Sequence, residues 1–282
     1  MEIKDLYGKY DMVFSVGSVC GCSEALRASG LQFTSYPLDW AGGSGLLVTS
    51  AKIVAAHFEG WFEKEDLRLE GYSRTTHSNR HYLNIRNGQN FWHDFPCTRS
   101  LDEQYPSVAE KYRRRAERFL SDIAAAHRVL AVYCDTPQAS ERVSDADAVA
   151  ARSIMAAAFP GVELNLLVFR QDFAAKAARE SQPDGHVLVV DLDYHQLDEF
   201  GKVSHIFRAD DVCAYLMRHF QVDDPRSEEE KAAYAKALAE RSLKRWGATP
   251  WTRWVNKRLF RLWRHLDRVL VKRKVIPPEV WR

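Results

Sequence analysis

From residue 128 onward, apolar residues come in short unbroken runs: RVLAVYC (128–134), ELNLLVF (163–169) and HVLVVDL (186–192). Valine- and leucine-rich runs without polar alternation predict strands buried on both faces. The segments between them read as helices. Ser144 with Asp147 predicts a capped helix through Phe159, residues 171–180 a short helix, and residues 208–220 another. Near the start, Asp11 to Val19 (DMVFSVGSV) predicts a buried strand entering a Gly17-Ser18 turn. CSEALRASG predicts a helix that follows at once and closes on Gly30 as its C′ residue. Leu46, Leu47, Ser50, Ile53, Val54 and Phe58 keep helical spacing. Ser107 and Glu110 have capping-box spacing and predict a helix from there to about residue 126, whereas residues 64–106 are polar, aromatic and rich in turn formers.

Strand and helix in alternation predict an α/β fold, a largely parallel sheet flanked by helices. Residues 1–222 are expected to form this domain and 223–282 a helical extension. Asp224-Pro225 reads as the cap and first residue of one helix, and Thr249-Pro250 starts a second that runs to about Val275. In that second helix the apolar positions 251, 254, 255, 259, 262, 266, 269 and 270 form one stripe, with arginines and lysines on much of the remainder.

Charge sharpens this picture. The chain of 282 residues has a formal net charge of +2. Residues 241–282 hold thirteen Lys or Arg against two acids, +11 in all, which leaves −9 for residues 1–240. A basic amphipathic helical arm with three tryptophans (251, 254, 263) suits an anionic membrane surface through residues 249–275, or packing on the body or a partner subunit. Nucleic acid is disfavoured, because no reading module accompanies the charge. The N-terminus does not read as a secretory signal, and no apolar run is long enough to span a membrane. Five cysteines at irregular spacing then read as free thiols. The expected location is the cytoplasm, with the inner membrane face as a docking place.

Among those thiols, Cys20 is the candidate for chemistry. A cysteine that opens a helix after a strand and a Gly-Ser turn meets free N–H groups and the helix dipole, both of which favour thiolate. Cysteine chemistry also needs a base and a group to orient it. His93 lies in FWHDFP among aromatic residues, with Asp94 directly after it, and Asp39 in the PLDW turn is a second carboxylate for the orienting role. A packed structural cysteine is the alternative, as is a metal or redox pair of Cys20 and Cys22 with His93 and Cys97.

FSVGSVCGCSEALRASGLQFTSYPLDW, then FWHDFP, then KYRRRAERFL before a Val/Leu strand, resemble a bacterial family of papain-like cysteine peptidases of unknown function. The matching elements are Gly17, Cys20, Leu26, residues 35–40, His93 to Phe95, and Tyr112 with Arg114, Arg115, Arg118 and Phe119, over roughly residues 11–135. The resemblance implies Cys20, rather than Cys22, as nucleophile of a hydrolase or acyl transferase, with His93 as base and no cofactor. A papain-like core closes with antiparallel strands, however, and residues 128–192 predict parallel α/β units.

Two further groups suggest other chemistry. Arg114, Arg115 and Arg118 share a helix face and are able to converge on an anion, unless Glu110 and Glu117 pair with them. Asp191 and Asp193 end an apolar strand, where open α/β sheets bind ligands, and an Asp-x-Asp there suits a divalent metal in a membrane-associated glycosyltransferase for cell-envelope sugars. A non-catalytic membrane-docking module is the remaining alternative. Gly42 to Gly45 lack the Lys-Ser/Thr of a P-loop.

Overall fold

The computed structural model describes residues 2–18, 20–43, 45–72, 79–136, 142–197, 203–207, 209–233 and 236. The chain divides into two compact units, residues 1–224 and 225–282. In the first unit, strands β1 (Gly8–Tyr10) and β2 (Met12–Ser15) lead into helix α1 (Cys20–Ala28). Next come β3 (Ala41–Gly42) and α2 (Leu47–Ala55), then β4 (Leu67–Tyr72), β5 (Asn79–Asn84) and β6 (Asn90–Pro96). Helix α3 (Leu101–Ala125) feeds β7 (Arg128–Cys134), α4 (Asp145–Ala158) and β8 (Glu163–Gln171). The unit closes with β9 (Arg179–Asp184), β10 (Val187–Leu192), β11 (His195–Leu197), β12 (Val203–Phe207), α5 (Ala209–His219) and β13 (Phe220–Val222).

The main sheet has the order β2-β7-β8-β10-β9, parallel except for β9. Its strands bury alternate residues on opposite faces. Phe14, Ala131, Tyr133, Leu166, Val168 and Val189 pack with α2, α3 and α4, whereas Val13, Leu130, Val132, Leu167 and Leu188 pack with α1 and α5. The unbroken apolar runs are thus strands covered on both sides. A second sheet, β3-β6-β5-β4, is wholly antiparallel and occupies the polar, turn-rich segment before α3. The fold is therefore mixed α/β rather than largely parallel throughout.

Helix α1 ends where expected. Gly30 has φ +69°, and the Leu31 and Gly30 amides donate to the Leu26 and Arg27 carbonyls, closing a Schellman motif. Three expectations are corrected. Residues 179–184 are an antiparallel edge strand hydrogen-bonded to β10, so sheet pairing overrides the helix propensity of the alanines before them. Helix α3 begins at Leu101, capped by Ser100 and Glu103, and tolerates Pro106 near its start. Gln104 explains this early start: its side-chain amide donates to the Pro96, Arg99 and Ser100 carbonyls and ties the end of β6 to the new helix. In the second unit, Ser227 with Glu230, not Asp224, makes the reciprocal cap. The expected arm at 249–275 lies outside the described residues. Among the described residues no helix is long and apolar enough to cross a membrane.

Phe119 joins the layers of the first unit. Its ring lies 4.8 Å from Phe14, 5.5 Å from Tyr36 and 5.2 Å from Phe58, edge-on to each. Phe119→Ala is expected to lower the unfolding free energy by roughly 3–5 kcal/mol. Urea denaturation followed by circular dichroism measures the change, and a loss below about 1 kcal/mol contradicts this packing.

Candidate active site

Two turns lie against each other across β3. After β2 the chain passes through Gly17, whose φ of +103° is a conformation that favours glycine, and reaches Ser18. The Ser18 amide and hydroxyl both donate to the Cys134 carbonyl at the end of β7, at 3.3 and 2.8 Å. The Ser18 carbonyl accepts from the Gly43 amide at 3.0 Å. At Gly42 the approach is closer still, since a Cβ there would lie 2.4 Å from the Ser18 carbonyl oxygen and 3.1 Å from the Trp92 ring. Only glycine permits this contact. Cys20 follows two residues after Ser18 and opens α1.

Cys20 is half-buried, and Cys22 is 1% exposed, donating its thiol to the Val132 carbonyl at 3.5 Å. Residue chemistry favoured the first over the second only weakly; burial now separates them. The Cys20 and Gly21 amides pull the Cys20 thiol pKa down, but burial, and after it the negative charge of Glu24, push it above its ordinary value. The resting thiol is therefore protonated at neutral pH.

Strand β6 pairs with β3 through Phe91 and Asn90. Between the Tyr82–Phe91 and Arg80–Phe95 pairs, His81 of β5 stands opposite three residues of β6: Trp92, His93 and Asp94. This three-against-one bulge keeps both Phe91 and Phe95 buried while His93 is turned out to solvent. The His93 ring lies edge-on to Trp40, with centroids 5.8 Å apart, and the Arg27 guanidinium of α1 lies 5.4 Å from the Trp40 ring centroid. Trp40 precedes β3 directly. Thus the turn before Cys20 and the β6 bulge that carries His93 both make contact with the β3 segment.

The two expected orienting carboxylates are engaged elsewhere. Asp39 is fully buried and accepts from Arg27 at 2.6 Å, Gln32 at 3.0 Å and the Tyr36 amide at 2.9 Å. It braces the residue 35–40 turn against α1, and burial raises its carboxyl pKa against the pull of these donors. Asp94 accepts from the Tyr112 hydroxyl at 2.7 Å and from Lys111, which anchors the bulge to α3. Neither carboxylate contacts His93 in these hydrogen bonds.

The arginines of α3 spread rather than converge. Arg113 pairs with Glu110 and Glu117, and Arg114 pairs with Glu110 at 3.3 Å. Arg115 lies over the Tyr112 ring at 5.5 Å, and Arg118 donates to the Thr34 hydroxyl and Ser35 carbonyl. Beside the C-terminal ends of β8 and β10, Arg142 and Arg170 hold Asp191, and Gln171 donates to Asp193 at 2.7 Å. Among the described residues no group of three or more His, Cys, Asp or Glu is placed to hold a metal. Trp40, Arg27 and Tyr112 carry more of the site than the sequence suggested, and the signal available was their place inside the PLDW, CSEALR and KYRRR runs.

Residues 11–145 match the family described as "Putative papain-like cysteine peptidase". The match takes in Cys20, Asp39, His93, Asp94 and the α3 arginines, and bears out the resemblance drawn from these motifs. Nothing among curated proteins or solved structures matches the chain. At a coarse level, the match supports a cysteine-hydrolase reading.

Two outcomes follow from the geometry. Gly42→Ala forces the Ser18 carbonyl aside, so the protein should melt several degrees lower than Ala41→Gly, and Cys20 should alkylate faster. Differential scanning calorimetry and peptide mapping check both, and an unchanged melting point and rate contradict the close contact. In the unaltered protein, the alkylation rate of Cys20 by iodoacetamide should climb through a midpoint above that of free cysteine. Glu24→Gln lowers the midpoint and raises the neutral-pH rate by roughly twofold, a small effect because Glu24 is exposed. A midpoint below neutrality contradicts a protonated resting thiol.

Proposed function

We propose that the chain is a cysteine-nucleophile hydrolase or acyl transferase, with Cys20 as nucleophile and His93 as general base. The observation that carries this reading is the shared anchoring of the thiol turn and the histidine bulge to β3, through Ser18–Gly43 and Gly42 on one side and the Phe91 and Asn90 pairing on the other. A half-buried thiol at a helix start and a solvent-facing imidazole on an adjoining strand are the two groups that acyl transfer needs.

In this reading, substrate binding brings the acyl carbonyl onto Sγ. His93 takes the thiol proton as the S–C bond forms, so no resting ion pair is required. The oxygen that gains charge accepts from amides at the start of α1, which the helix dipole reinforces. Collapse breaks the bond to the leaving group. That group receives the proton from His93, and a thioester remains on Cys20. Water or an acceptor nucleophile then attacks the thioester carbon and gives its proton to His93. The C–S bond breaks as the acyl group leaves on the new nucleophile, and His93 returns the proton to Sγ. Asp94, Lys111 and Tyr112 support the bulge that presents the base, and Asp39 with Arg27 holds the turn that carries Trp40.

An activated acyl ester tests the scheme without knowledge of the natural substrate. With para-nitrophenyl acetate, intact-mass and peptide analysis should find the acetyl group on Cys20. Cys20→Ala removes it, and His93→Gln slows its formation by about 10²–10⁴-fold while circular dichroism stays unchanged. Acylation that persists in Cys20→Ala, or that proceeds at full rate in His93→Gln, overturns the assignment.

A further inference from the structure

Helix α1 turns one stripe of residues toward the residue 35–40 turn. Cys20, Glu24 and Arg27, at i, i+4 and i+7, share a face of the helix. Arg27 fixes the direction of that face, because its guanidinium is bonded to Asp39 and lies over the Trp40 ring. From Asp39 the chain runs past α1 in the opposite direction and reaches Gly42, which lies against the Ser18 carbonyl just before the helix. Trp40, whose ring also meets His93, therefore flanks the stripe that carries Cys20. Along this stripe Cys20 and Arg27 are half-buried, whereas Glu24 is exposed, at the solvent rim beside the thiol.

The charges around the thiol do not balance. Arg27 spends its charge on Asp39 at 2.6 Å, and Asp94 is met by Lys111. Glu24 makes no ion pair and no hydrogen bond among the described residues. Of these groups, Glu24 alone keeps an uncompensated charge.

A carboxylate at this place works against the chemistry proposed for Cys20. Burial first, and the Glu24 charge after it, hold the thiol in its protonated form. The same charge opposes the oxyanion that forms at the start of α1. A residue that breaks a local rule, with nothing in the resting protein to offset it, marks a place where function sets the choice. A cation that arrives with the substrate supplies the offset. Paired with Glu24, it removes the opposition to thiolate and to oxyanion together.

We propose that the Cys20 site takes acyl substrates bearing a positive charge close to the reacting carbonyl, an ammonium or guanidinium group for which Glu24 is the counter-ion. The inference rests on the reading of Cys20 as nucleophile and adds to it the class of substrate. An anion of the same shape meets Glu24 as repulsion, and a neutral substrate leaves its charge uncompensated.

Three methanethiosulfonates of different charge read this preference at Sγ: the 2-trimethylammonioethyl, methyl and 2-sulfonatoethyl reagents. In each, the thiolate attacks the sulfenyl sulfur, an S–S bond forms, and methanesulfinate leaves with the electrons of the broken bond. Rates at Cys20 are measured in the full-length protein at low ionic strength, assigned by peptide mapping and divided by the rates with 2-mercaptoethanol. The ammonium reagent should then be favoured over the sulfonate by roughly three- to tenfold. Glu24→Gln, with circular dichroism unchanged, should bring this ratio close to one. A ratio near one in the unaltered protein overturns the proposal. So does a Glu24→Gln variant in which all three reagents change speed alike, since that is the effect of the charge on the thiol alone. Ordinary acetylation of Cys20 by para-nitrophenyl acetate without this charge preference removes the present inference only, whereas acetylation that persists in Cys20→Ala removes the nucleophile reading and this inference with it.

Discussion

Ser18 is bonded to both sheets at once. Its amide and hydroxyl are spent on the carbonyl that ends β7, and its carbonyl is spent on the amide after β3. This double attachment works only because Gly42 has no side chain, so that the Ser18 carbonyl and the Trp92 ring come together over its backbone. Everything proposed for Cys20 depends on this contact. The parallel sheet delivers the turn before Cys20, the antiparallel sheet delivers the bulge that carries His93, and both make contact with the β3 segment.

A second level of support keeps the turns in place. Arg27 joins the buried Asp39 to α1 and lies over Trp40, the ring that His93 touches. Tyr112 and Lys111 hold Asp94 on the opposite side of the bulge. Truncating Arg27 or Tyr112 leaves a buried carboxylate short of a partner, and such groups are costly to strand. Asp39 and Asp94, carboxylates suited by type to orient an imidazole, spend these hydrogen bonds on Arg27, Gln32 and the Tyr36 amide, and on Lys111 and Tyr112.

The parts of the fold legible in the sequence were those set by local pattern. The apolar runs at 128–134, 163–169 and 186–192 are the strands of the main sheet, and Gly30 and Ser144 mark real helix ends. The antiparallel sheet escaped because its signal is pairing between distant residues. Nothing local in Leu67 to Pro96 fixes which strand meets which, and the bulge at His93 interrupts the alternation that would have exposed β6. Edge strand β9 was misread because the alanines before it favour helix, while its pairing with β10 is tertiary. The α3 arginines were legible as a cluster, but the glutamates and loop carbonyls that take them up follow from side-chain directions that spacing alone does not give.

The central claim is that Cys20 and His93 occupy one site although 73 positions separate them in sequence. The most direct test replaces His93 by Cys and treats the folded protein with the short bifunctional thiol reagent dibromobimane, followed by proteolysis and mass spectrometry. The account predicts a bridged peptide pair joining the introduced thiol to Cys20, absent when Cys20 is also replaced by Ala. Modification of both thiols singly, with no bridge between them in a protein of native circular dichroism, would contradict it.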